Sequence, residues 1–138
     1  MNKQSIWAVV AGAVVAIVAT TLVDVALHIA HVFPPLTDPI NDALALLATS
    51  YRIVIGVAGA WLTARLAPDK PLKHALILGY LGVVLGVVGV VATWNKGLGP
   101  HWYPIALVVL AVPQSWVGGK LYEAQARSVR SSQGRQDR

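Results

Sequence analysis

Asp24, His28 and His31 stand four and three residues apart in TTLVDVALHIAHVFPP, a stretch that closes an otherwise apolar run. Residues at those intervals share one face of a helix, and Thr20 extends the stripe by another turn. A carboxylate with two imidazoles on one face suits a proton relay or a nitrogen–oxygen metal site. The second apolar block contains a single charged residue, Arg52, within ATSYRIVIG.

A lone Asp or Arg at the centre of a bilayer costs about 2.5–3.5 kcal/mol. Asp24 lies ten residues before Pro34, and Arg52 lies ten residues after Asp42. On antiparallel neighbouring helices both would sit about 15 Å below the same surface. An ion pair between Asp24 and Arg52 is therefore expected, assisted by Thr20, Thr49, Ser50 or Tyr51. It could act as a polar lock that fixes helix register, or as part of a path that His28 and His31 carry outward. A permanent guanidinium beside the acid argues against a proton-carrier role for Asp24.

Other chemistries find less support. The sequence has no cysteine, which excludes disulfides and thiolate sites. His28, His31 and His101, with Asp38 and Asp42 nearby, offer nitrogen and carboxylate donors, but the H-x-x-H spacing matches no closed zinc set. His74 falls at the opposite end and cannot complete a bis-histidine haem site. No nucleophile–base set or phosphate-binding glycine loop is visible. No catalytic residue, metal or cofactor is expected.

The elements that must position these groups are helices in lipid. The chain has 138 residues, of which 56% are hydrophobic and 12% charged, too few polar groups to clothe a soluble globule. Uncharged runs cover Ile6 to Val23, Ala75 to Trp94 and Trp102 to Gly119, and Ala43 to Ala64 is broken only by Arg52. Each approaches the ~20 residues a spanning helix needs. Segments such as VVLGVVGVV do not alternate as barrel strands do. The expectation is an all-α integral membrane protein, an antiparallel four-helix transmembrane bundle with helices at about 5–32, 42–66, 73–94 and 102–123. Residues 124–138 read as a polar, basic tail that frays into disorder. The first run resembles a signal peptide in outline but is longer and lacks a small-x-small site, so it is expected to be retained.

Basic residues set the orientation. With both termini cytoplasmic, nine of the eleven Lys and Arg residues lie inside, Lys96 outside and Arg52 within the membrane. Their clustering at helix ends explains the net charge of +5 without nucleic acid. Phe33, Trp94, Trp102 and Tyr103 would mark the outer interface; Trp7, Trp61 and Tyr122 would mark the inner one.

Small residues predict helix contacts. Ala13 and Ala16 continue the first stripe downward. The second helix carries Ala45, Thr49, Arg52, Gly56, Gly59 and Thr63, and the third carries Gly79, Gly82, Gly86 and Gly89. Such stripes let helices approach closely in lipid. The third is open to a partner helix within the chain, to a homo-oligomer, or to another membrane protein. Pro113 should kink helix four by freeing the carbonyl of Val109.

The segments DVALHIAHVFPP, YRIVIGVAGAWLTARLAP, KHALILGYLG, ATWNKGLGPHWYPIALVVLAVP and SWVGG resemble a group of small bacterial four-helix inner-membrane proteins with no assigned activity. That resemblance implies the fold and a bacterial inner membrane, and brings no reaction or ligand. A weaker similarity is to the small multidrug resistance family, which also has four short helices and an acid in the first. Here the acid is an aspartate faced by Arg52, which departs from that family's exchangeable glutamate. The leading expectation is a non-enzymatic membrane protein acting by packing. A small transporter or ion-conducting subunit using Asp24, Arg52, His28 and His31 is the alternative, and a membrane-embedded metal-binding protein or enzyme the second.

Overall fold

A computed structural model describes residues 1–137. The chain forms α1 (Lys3–Ile29), α2 (Asp42–Leu66), α3 (Pro71–Thr93) and α4 (Trp102–Gln136). All four are long and apolar enough to cross a membrane, which makes this a multi-pass membrane protein. Successive helices run antiparallel. One end of the bundle carries the α1–α2 and α3–α4 loops (the loop end), and the other carries Met1, the α2–α3 turn and the α4 extension (the terminal end).

The bundle is apolar outside and lined with small residues within. Its buried positions are mostly Ala, Gly, Ser and Thr, whereas Val14, Ile17, Leu22, Val54, Val84 and Val91 are exposed. Water would not tolerate that exterior, and lipid does. The core sits toward the terminal end, around Ala60, Ala64 and Ala75 with Leu78 and Tyr122 packed against them.

Close backbone approach builds this core. Gly12 of α1 lies against Thr63 and the Gly59 carbonyl of α2, leaving no room for a side chain. A Cβ on Gly118 would meet Ala60 Cβ at 2.7 Å and Trp61 N at 2.8 Å on α2, and one on Gly119 would meet Ala75 Cβ at 3.0 Å on α3. Adjacent glycines thus let α4 nest between α2 and α3. α1 packs on α2 and only lightly on α3, and among the described residues it does not meet α4.

Three expectations change. First, α1 stops at Ile29 rather than near residue 32, because His31 turns left-handed (φ 57°). The chain then folds back, with the N–H groups of Val32 and Phe33 both donating to the Leu27 carbonyl. Second, α4 continues as helix through Gln136 instead of fraying after residue 123. The spanning helix supplies the costly nucleus, and Glu, Ala, Gln and Arg propagate it well. Of the predicted tail only Arg138 lies outside the described residues.

Third, the glycine stripe of α3, whose partner the sequence leaves open, meets a helix of the same chain over three of its four glycines. Cβ atoms on Gly79, Gly82 and Gly86 would meet Ser115, Ala111 and Val108 of α4, at 2.9, 3.3 and 2.8 Å. A Cβ on Gly89 would meet nothing within 4 Å among the described residues.

Candidate functional site

At the loop end the four helices diverge around a cavity of about 650 Å³. Its depth is set by α1, α2 and α4, which place Asp24, Arg52 with Tyr51, and Tyr103 in its lining. Gly82, Gly86 and Gly89 of α3 line it as well, and of these Gly89 is the one whose missing side chain leaves open space.

The expected ion pair is present. Arg52 Nη2 donates to Asp24 Oδ2 at 2.7 Å, and Tyr51, the adjacent residue, donates its hydroxyl to Asp24 Oδ1. Both carboxylate oxygens are therefore engaged. The Arg52 guanidinium lies 5.9 Å from the ring centroids of both Tyr51 and Tyr103, so two aromatic faces flank the cation. Its Nε is buried without an acceptor among the described residues. The pair is not sealed: 30% of each side chain remains exposed, and both border the cavity.

The remaining predicted residues divide. His28 lines the cavity, with its Nδ1 2.7 Å from the Asp24 backbone carbonyl and its ring 5.5 Å from Phe33. A carbonyl only accepts, so Nδ1 carries the hydrogen and Nε2 has no partner among the described residues. His31 has left the helix, is exposed and does not border the cavity, so the outward histidine stripe stops at His28. Thr49 is buried and donates to the Ala45 carbonyl, and Ser50 donates to Leu46; neither reaches the pair. Thr20 also lies outside the cavity lining and makes no bond to Asp24 or Arg52. Of the four proposed helpers, Tyr51 is the one used.

Gly56 and Gly59, expected as helix-packing residues, face different helices. Gly59 opposes Ala16 and Gly12 of α1, while Gly56 accommodates the Gln114 side chain of α4. Ala13, expected on the contact face, yields to Gly12.

Sequence reading missed Tyr103, taken for an interfacial aromatic, and the roof. Phe33, Pro34, Pro35 and Leu36 cover the cavity from the α1–α2 loop; Trp94, Leu98, Gly99 and Pro100 cover it from the α3–α4 loop. The loops are joined by Ile40 N to the Leu98 carbonyl at 2.9 Å, and the helices that follow them by Trp102 Nε1, first in α4, to Asp42 Oδ1, first in α2, at 2.7 Å. Gly97 (φ 62°) supplies the left-handed turn that brings the second loop over. Paired Pro34 and Pro35 facing GLGP was the available signal. Among the described residues no three His, Asp or Glu side chains gather as a metal site.

Comparison of the chain with protein-family models, curated proteins and solved structures finds no match in any of the three. The functional reading therefore rests on the bundle and on this cavity.

Proposed function

We propose that the protein is a non-enzymatic, multi-pass protein of a bacterial inner membrane, with both termini cytoplasmic. Its role on this reading is to take up a small molecule with an apolar body and a hydrogen-bond-accepting end from the outer side. The observation that carries the reading is the position of the Asp24–Arg52 pair. A register lock needs no access, yet this pair borders a cavity within the ~300–1,000 Å³ range of small-molecule sites.

The chemistry of the lining supports the ligand class. Tyr51 and Arg52 already occupy both oxygens of Asp24, so the acid holds the arginine in place. A guanidinium has five N–H donors, and the Asp24 bond uses one. An incoming carboxylate or similar acceptor would complete the fork between two tyrosine rings, a geometry arginine suits better than lysine. Leu85, Leu98 and Leu107 would cover the apolar body. Thr93, the lining's one aliphatic hydroxyl, is engaged by the Gly89 carbonyl, which favours recognition over covalent chemistry.

A polar path through the bilayer is less well supported, because the half beneath the pair is closed by the Gly12–Thr63 and Gly118–Ala60 contacts. Thermal unfolding of the purified protein with octanoate, and with octanol as control, tests the proposal. Octanoate should raise the Tm of the wild type more than octanol does, and Arg52→Gln should abolish the difference. Equal effects of the two compounds on the wild type would contradict the reading.

A further inference from the structure

At the terminal end, α1 and α3 run parallel and their N-termini meet around a second cavity of about 210 Å³. Asn2 and Ser5 line it from α1; Asp69, Lys70, Lys73 and His74 line it from the α2–α3 turn and α3. Neither helix has an acidic residue in its first turn, and no side chain caps α3, whose first residue is Pro71. Two positive dipole ends therefore face one space, with two lysines against the single carboxylate of Asp69.

Two side chains in that lining are almost wholly enclosed yet retain unused polar atoms. Ser5 and His74 are each 4% exposed. The Ser5 amide is capped by Asn2 Oδ1 at 2.8 Å, while its hydroxyl makes no hydrogen bond among the described residues. His74 Nδ1 lies 3.2 Å from the Lys70 carbonyl, which can only accept, so the ring hydrogen sits on Nδ1. Nε2 is left without a partner among the described residues. Neither atom is sealed off, and with both residues in the lining each is available to bond an occupant of the cavity.

We propose that this pocket binds a phosphate group, carried by an anionic lipid headgroup or by a free phosphate. Lys70 and Lys73 meet its charge, the α3 N-terminus supplies backbone donors, and Ser5 and His74 complete the shell. Its place at the helix ends is the level of lipid headgroups. Ile77, one turn along α3, continues the lining with an apolar surface suited to an acyl chain. The site is separate from the loop-end cavity and stands whether or not that cavity takes a ligand.

The test follows the His74 imidazole ¹⁵N signals of the full chain in detergent micelles. Dioctanoyl phosphatidylglycerol, dioctanoyl phosphatidylcholine and inorganic phosphate are each titrated in. Phosphatidylglycerol should shift the Nε2 signal saturably and bind about tenfold tighter than phosphatidylcholine. Lys70→Gln/Lys73→Gln, at exposed positions that leave the fold intact, should weaken it by about the same factor. Inorganic phosphate that shifts the signal and displaces the lipid identifies a free phosphate as the ligand; failure to displace it identifies the headgroup. The proposal is overturned if no probe moves the signal, or if the lysine substitutions leave binding unchanged.

Discussion

Arg52 Nη2 lies 2.7 Å from Asp24 Oδ2, and each of the two side chains keeps 30% of its surface exposed beside the loop-end cavity. The pair thus satisfies the charge balance a bilayer demands while remaining within reach of an entering molecule. Removing one partner leaves the other uncompensated. A fully buried pair broken this way loses about 3–5 kcal/mol, and partial exposure reduces that figure. Asp24→Asn and Arg52→Gln should each cost about 1–3 kcal/mol. The double variant should cost less than their sum, as read from a double-mutant cycle of unfolding in mixed micelles.

Tyr51 holds the second oxygen of Asp24, so Tyr51→Phe removes a hydrogen bond to a charged acceptor. The expected loss is about 1–2 kcal/mol, below the top of the usual range because cavity water can replace the donor. Ser50→Ala, one residue away, should be close to neutral, since Ser50 serves only the Leu46 carbonyl. Parallel unfolding curves for the two variants distinguish them.

Gly118 and Gly89 make opposite predictions. A methyl on Gly118 meets the backbone of α2, which cannot rotate aside, so Gly118→Ala should destabilise by about 1–3 kcal/mol. Gly89→Ala enters open space and should be neutral or mildly stabilising. Equal effects would mean that α4 does not nest between α2 and α3 as described.

Trp102 and Asp42 tie together the helices that follow the two roof loops, at an exposed position. Trp102→Phe should change stability by less than ~1 kcal/mol, yet speed entry of a thiol reagent to a cysteine placed in the cavity. The labelling rate reads this effect directly.

How far the sequence revealed this arrangement follows from the kind of force involved. Four apolar runs of spanning length fix the helices, because lipid leaves the backbone no other way to bond. Asp24 and Arg52 were legible as partners for the same reason: neither can stand alone at that depth. Tyr51 was not separable from Thr20, Thr49 and Ser50, since which neighbour reaches the carboxylate depends on α2's rotation. Tyr103 has the composition of an interface anchor and turns inward only because α4 packs that way. The break at His31 comes from a left-handed residue that is not glycine, with Val32 and Phe33 folding back on Leu27, and the residue type there does not announce that turn. Gly12 and Gly118 look like any other small residue until their neighbours are known, and the α4 extension was hidden by its polarity.

On the proposed function, a water-accessible cavity opens at the loop end and reaches the Asp24–Arg52 pair. A chain without cysteine allows a clean measurement. Leu107→Cys places a single thiol in the cavity lining, and Val84→Cys places one on the outer face of α3, where the residue is 60% exposed. A membrane-impermeant maleimide given access to both faces of the membrane should label the first and spare the second, and Arg52→Gln should not block the labelling. A Leu107→Cys protein that stays as unreactive as Val84→Cys would mean that the interior is dry and that the pair is only a lock.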